Sequence, residues 1–92
     1  MKLSDIIFTD GQILSYEYHR GTVRITFVHY TDDRLAIELT GCESIEERGS
    51  VDISVADSRI RKTNGKKELS LYDDDGLVFR AVFEDAVVTP LD

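Results

Sequence analysis

Apolar residues recur at every second position along most of the chain, and turn-forming residues arrive about every ten. That is the pattern of antiparallel strands with one buried face, joined by tight reversals. The register of each hairpin can be tested by asking which turn sets apolar side chains opposite apolar ones.

In "QILSYEYHRGTVRITFVHY" a two-residue turn at Arg20-Gly21 sets Tyr18 opposite Val23, Tyr16 opposite Ile25 and Leu14 opposite Phe27. Glu17 and Arg24, and Ser15 and Thr26, then share the other face. A one-residue slip would mix the two faces, so this register is strongly specified. In "YTDDRL" a two-residue loop sets Phe27 against Glu38, whereas three residues, Thr31 to Asp33, pair Phe27 with Ile37 and Ile25 with Leu39. Asp33 is the expected left-handed residue of that loop. Asn64-Gly65 carries the strongest short hairpin signal, because a type I′ turn needs positive φ at both central positions. It pairs Arg61 with Glu68 and Ile60 with Leu69. A loop of Asp74 to Gly76 then pairs Leu71 with Phe79 and Leu69 with Ala81, with Gly76 at the position where a type I turn followed by a bulge requires it.

Two stretches break the pattern. "GCESIEERGS", residues 41–50, has no sustained period and reads as a long connection with Ile45 tucked inward. In "SVADSRI" the apolar residues Val51, Ile53 and Val55 share a parity that Ile60 lacks. A bulge or corner at Ala56 to Ser58 restores the phase and would carry the chain from one sheet to another. After Glu84-Asp85 the apolar character resumes, and Pro90 ends it.

The expected fold is therefore all-β: a single β domain over 1–92, with six or seven antiparallel strands in a small sandwich or partly open barrel. Residues 3–8 are the one candidate for a short N-terminal helical turn. The expected core is Leu14, Tyr16, Tyr18, Val23, Ile25, Phe27, Ile37, Leu39, Ile53, Val55, Ile60, Leu69, Leu71, Phe79, Ala81 and Phe83. At roughly 1.5–3 kcal/mol per large buried side chain, that set can offset the ordering entropy without a metal or a disulfide.

Composition narrows the function classes. The 92 residues carry a net charge of −7, which disfavours non-specific adhesion to nucleic acid or anionic lipid and favours a basic partner. "MKLSDIIFTD" has no long apolar run, so neither a signal peptide nor a membrane span is expected, and a cytoplasmic location follows. One cysteine, Cys42, forms no internal disulfide and excludes a four-cysteine zinc framework.

Candidate chemistry is sparse. "RIRKTNGKKE" gathers Arg59, Arg61, Lys62, Lys66 and Lys67 around the Asn-Gly turn, an alternative basic patch for nucleic acid. It lacks the aromatic platforms that stack bases, and charge on an exposed hairpin also blocks edge-to-edge pairing, so nucleic acid is disfavoured. "DDDG" lacks the alternating ligands of a calcium loop. His19 and His29 fall roughly 23 Å apart along the hairpin, too far to share a metal, and Cys42 falls roughly 10 Å from His19, too far for a nucleophile and its base. Adjacent carboxylates on a strand point to opposite faces and make poor acid/base pairs. No serine sits in a nucleophile elbow and no glycine-rich phosphate cradle occurs. No catalytic residue, cofactor site or metal site is thus expected, and no enzymatic activity. Glu43, Glu46 and Glu47, in the irregular acidic segment, are the candidate partner-binding residues.

"FTDGQILSYEYHRGTVRITFVHYTDDRLAIELTG", "ISVADSRI" and "ELSLYDDDGLVFRAVF" together resemble a group of small bacterial β domains, some assigned as immunity proteins of polymorphic toxin systems. The shared features are an Asp-Gly before the first strand, the first hairpin and the late Asp-rich turn. Thr9 stands before Asp10 where that group often has His. The resemblance implies a non-catalytic protein-binding role, with an acidic surface covering a basic toxin domain. Two other readings differ in class. One is a small-ligand barrel or sandwich using Tyr16, Tyr18 and His29 along an interior pocket. The other is a homodimer through an edge strand, residues 51–55 or 86–89.

Overall fold

The hairpin registers place the chain in two antiparallel sheets packed face to face, and the structure, a computed structural model, describes residues 2–48 and 52–91. A 3-10 turn, Leu3–Asp5, precedes nine strands: β1 Gln12–His19, β2 Thr22–Val28, β3 Arg34–Thr40, β4 Ser44–Glu47, β5 Ile53–Ser54, β6 Asp57–Thr63, β7 Lys66–Asp73, β8 Gly76–Phe83 and β9 Asp85–Pro90. One sheet has the order β5-β1-β2-β3-β9 and the other β4-β8-β7-β6. The architecture is an all-β sandwich with no closed barrel. No helix among the described residues is long and apolar enough to cross a membrane.

Nine strands rather than six or seven arise because the chain bends between sheets at three places. β3 and β9 pair in the first sheet, and β4 and β8, their continuations, pair in the second. Backbone bonds from Glu84 N to Thr40 O and from Glu43 N to Val82 O, both 2.9 Å, carry that ladder around the corner. Gly41 turns there with φ of 65°. The third bend is the expected corner: β5 pairs with β1, and after Val55 and Ala56 the chain enters β6 in the other sheet. Val55 N donates to Gly11 O and Ala56 N to Tyr72 O, tying the two sheets together at this point. Such bends are the ordinary means by which strands switch sheets.

Three of the four hairpin registers hold across the turn-proximal pairs. Tyr18↔Val23, Tyr16↔Ile25, Arg61↔Glu68, Ile60↔Leu69, Leu71↔Phe79 and Leu69↔Ala81 are all partners. Arg20, Gly21, Asn64 and Gly65 take the positive φ values a type I′ turn needs. Gly76, at φ 126°, marks the bulge beyond the Asp74-Asp75 tip. The β2–β3 hairpin differs from expectation. His29 N donates to Asp33 O, so the loop is Tyr30 to Asp32, Phe27 faces Leu35 and Ile25 faces Ile37. The left-handed residue is Asp32, not Asp33. The slip is two residues in partner, so every side chain keeps its face.

Several positions with the parity of the core are left partly uncovered. A bulge between Ile13 and Ser15 sends Ile13 into the core opposite Phe27, and Leu14 is only half-buried. Tyr18 is 48 % exposed and Ile60 41 % exposed, because the facing sheet does not reach the hairpin end or the edge strand where they stand. Ile53, on the short edge strand β5, is half-buried. Residues 44–47 form β4 instead of a loop, and Ile45 is 37 % exposed on that edge. Val51 lies outside the described residues. The N-terminal segment contributes Leu3, Ile6 and Phe8 to the core; Phe8 packs on Phe27 with ring centroids 5.2 Å apart.

Tyr16 bridges the sheets by stacking on Phe79, at 5.2 Å and 14° between ring planes. Its hydroxyl is buried with no hydrogen-bond partner among the described residues. Burial, and then the neighbouring Glu47, hold its phenol well above the usual tyrosine range. The folded protein therefore disfavours the phenolate. Stability from this group is fully present below pH 10, the ordinary pKa, and falls as pH rises from there toward the folded-state value, because the unfolded chain ionises first. Tyr16→Phe is expected to remove the unpaired hydroxyl, stabilise the fold by about 1 kcal/mol at pH 7, and flatten the decline above pH 10. Urea midpoints at pH 7 and pH 10.5 check both; a variant less stable than the parent at pH 7 would show that the hydroxyl has a partner.

Candidate functional site

Because type I turns and bulges draw aspartate, the end of the sandwich at the β5–β6 corner accumulates negative charge. Asp10, with φ of 67°, precedes β1, and Asp73, Asp74 and Asp75 form the β7–β8 reversal. These four line a cleft of about 410 Å³ whose floor is Ile53, Ser54, Val55 and Ala56. Arg48 is the basic group at its margin: Nη1 lies 3.4 Å from Asp73 Oδ2, and Nη2 donates to Asp75 O at 3.5 Å. Asp75 N donates to Asp73 Oδ1 at 2.8 Å, which fixes the tip. Asp10, Asp74 and Asp75 have no cation within ion-pair distance among the described residues. Nor is any group of three or more His, Cys, Asp or Glu among these residues placed to hold a metal ion.

The three glutamates expected to meet a partner sit elsewhere and are largely engaged by the chain itself. Glu43 precedes β4 and bonds Lys66, which also lies 3.7 Å from Glu84. The hydrogen bond to Glu43 raises the Lys66 pKa above its ordinary value. Glu46 and Glu68 flank Arg80 at 4.0 and 3.4 Å, a charge row across β4, β8 and β7. Glu47 neighbours Tyr18, whose phenol is pushed up to about 12 by burial and then by that carboxylate.

The five basic residues of the β6–β7 hairpin do not form one patch. Lys66 turns to Glu43 and Glu84; Arg59 and Arg61 point to the face shared with Ser70 and Glu68; Lys62 and Lys67 oppose each other on the other face. Glu68 meets Arg80 and not its cross-strand partner Arg61. A nucleic-acid groove needs such cations aligned along one surface. Alternation on the strands divides them.

The remaining candidates are also apart. His29 donates through Nδ1 to Thr31 Oγ1, 2.9 Å away, because Thr31 gives its one proton to Asp33. It caps the β2–β3 loop, at the opposite end of the first sheet from His19 and Tyr18. Tyr16, Tyr18 and His29 therefore do not converge on one interior pocket. Cys42 is half-buried, its thiol donates to Leu39 O at 3.3 Å, and burial raises its pKa, so the nucleophilic thiolate is disfavoured. The acidic corner was legible in part, since "DDDG" is plain in the sequence, but its union with Asp10 depends on the sheet-to-sheet bend. Compared with models of known families, with curated proteins and with solved structures, the chain gives no match, so the reading of its function rests on the geometry above.

Proposed function

We propose that the protein is a non-catalytic interaction module that binds a basic protein partner through the aspartate-rich end of the sandwich. The observation that carries this reading is the segregation of charge. Carboxylates around the Asn64-Gly65 hairpin are matched by Lys66 and Arg80, whereas Asp10, Asp74 and Asp75 share one concave surface without a matching cation among the described residues. A concave acidic surface on a scaffold fixed by hydrogen bonds at the corner can seat a protruding Lys or Arg, and its field speeds encounter with a basic partner while rejecting acidic ones. The resemblance to immunity-type β domains of toxin systems agrees with such a covering role. A cytoplasmic location belongs to the same proposal, as does the absence of catalysis.

The test is capture of partners from source-cell lysate on immobilised protein at 50 and 500 mM salt (roughly, to span strong and weak screening), with a D10N/D74N/D75N variant in parallel. Asn tolerates the left-handed conformation of residue 10, so the fold should be kept. A basic protein retained by the parent at low salt should be lost at high salt and bound about tenfold more weakly by the variant, equivalent to about 1.4 kcal/mol. Equal retention by the variant would remove the acidic end from the mechanism.

A further inference from the structure

The side of the sandwich between edge strands β6 and β9 is closed only partly, by the N-terminal 3-10 turn. What remains is a cleft of about 360 Å³ bordered by Lys2, Leu3, Ile60, Lys62, Lys67 and Ala86. Two features of it work against stability if it is empty. Lys62 and Lys67 stand directly opposite each other on neighbouring strands, an arrangement of like charges that costs free energy. Ile60, beside them on the same face, is an exposed large apolar side chain. Yet in a chain with 18 acidic residues, none of the three lysines has a carboxylate within ion-pair distance among the described residues. Asp5, the acid nearest Lys2 in sequence, accepts from the backbone N–H of Lys2, and Glu68, next to Lys67, pairs with Arg80. All three lysines border the cleft.

We infer that this cleft binds a small amphiphilic anion, with a carboxylate or phosphate head among Lys2, Lys62 and Lys67 and an apolar tail against Ile60, Leu3 and Ala86. The volume is of the order that holds small organic ligands, in the lower part of the roughly 300–1,000 Å³ range. A bound anion relieves the repulsion between the two opposed lysines, and the tail removes Ile60 from water. Lysine suits the task as a point charge on a flexible stem that adjusts to either head. The site lies apart from the aspartate-rich end and does not depend on it.

Amide chemical shifts of the isotopically labelled protein, followed during titration, test the inference with four probes: octanoate, octyl phosphate, octanol and inorganic phosphate, each below any micelle-forming concentration. Octanoate, octyl phosphate or both should give saturable shifts at residues 2–4, 60–62, 67 and 86, with a dissociation constant of about 1 mM or below. Whichever head binds tighter identifies the source chemistry. K62Q/K67Q should weaken that binding at least about tenfold, and Ile60→Ser should weaken it while leaving the spectrum of the core unchanged, since the side chains lie at an exposed edge. No saturable shift with either anion, undiminished binding by K62Q/K67Q, or equal binding of octanol or of inorganic phosphate alone would each overturn the assignment.

Discussion

Gly11→Ala is expected to destabilise the protein by about 3 kcal/mol, the upper part of the range for overpacking a core. A Cβ at Gly11 would lie 2.1 Å from Phe27 Cζ and within 2.9 Å of both Cε atoms. The ring cannot retreat easily, because Phe27 is fully buried and Phe8 packs against it. Nor can the backbone, because Gly11 N donates to Phe8 O and Gly11 O accepts from Val55 N at the corner. The variant thus strains the place where the sheets are joined. A double-mutant cycle with Phe27→Leu isolates the contact: the smaller side chain makes room, so the two losses should fall short of additivity by about 1 kcal/mol or more. Urea unfolding measures all three variants. A near-neutral Gly11→Ala, or strict additivity, would show that residue 11 does not touch Phe27.

Phe79→Ala should have the largest effect, a loss of about 3–5 kcal/mol, as for other fully buried phenylalanines. Phe79 sits between Leu71 and Glu47 in the register of the second sheet and carries the stacked Tyr16 of the first. Its removal opens a cavity and strips Tyr16 of its cover. Against a total of about 5–15 kcal/mol for a domain of this kind, that is a large fraction of the stability. Ile60→Ala, by contrast, should change stability by no more than about 0.5 kcal/mol, since Ile60 stands on an exposed edge. Thermal and chemical unfolding of the pair checks the contrast. A Phe79→Ala variant within about 1 kcal/mol of the parent would contradict the sandwich core.

The candidate sites were less legible than the fold. Glu43, Glu46 and Glu47 stand out in the sequence as an acidic run, but β4 pairs with β8 and brings Arg80 to Glu46, while the Asn64-Gly65 turn brings Lys66 to Glu43. Lys62 and Lys67 belong visibly to a basic hairpin, yet only the partial closure by Leu3–Asp5 makes a cleft in front of them. Charge runs are local in the chain. Their partners are not.

By itself the sequence determined the strands of the four hairpins, most of the faces they present and three of the four hairpin registers, but not the extra strands made where the chain bends between sheets. Period-two alternation and the φ preferences of Gly, Asn and Asp are properties of neighbouring residues, so Phe27, Ile37, Leu69 and Phe79 point inward in any arrangement that keeps those turns. Even the β2–β3 slip preserved every facing, because it was an even number of residues. The tertiary structure alone decided which inward residues are covered. Tyr18, Ile45 and Ile60 have the parity of the core but lie where the opposing sheet ends, while Leu3, Ile6 and Phe8 enter it from a segment with no strand pattern. It also decided how Asp10 comes to stand beside Asp73, Asp74 and Asp75: burial and charge clustering are set by contacts between residues distant in the chain, which alternation along a strand does not encode.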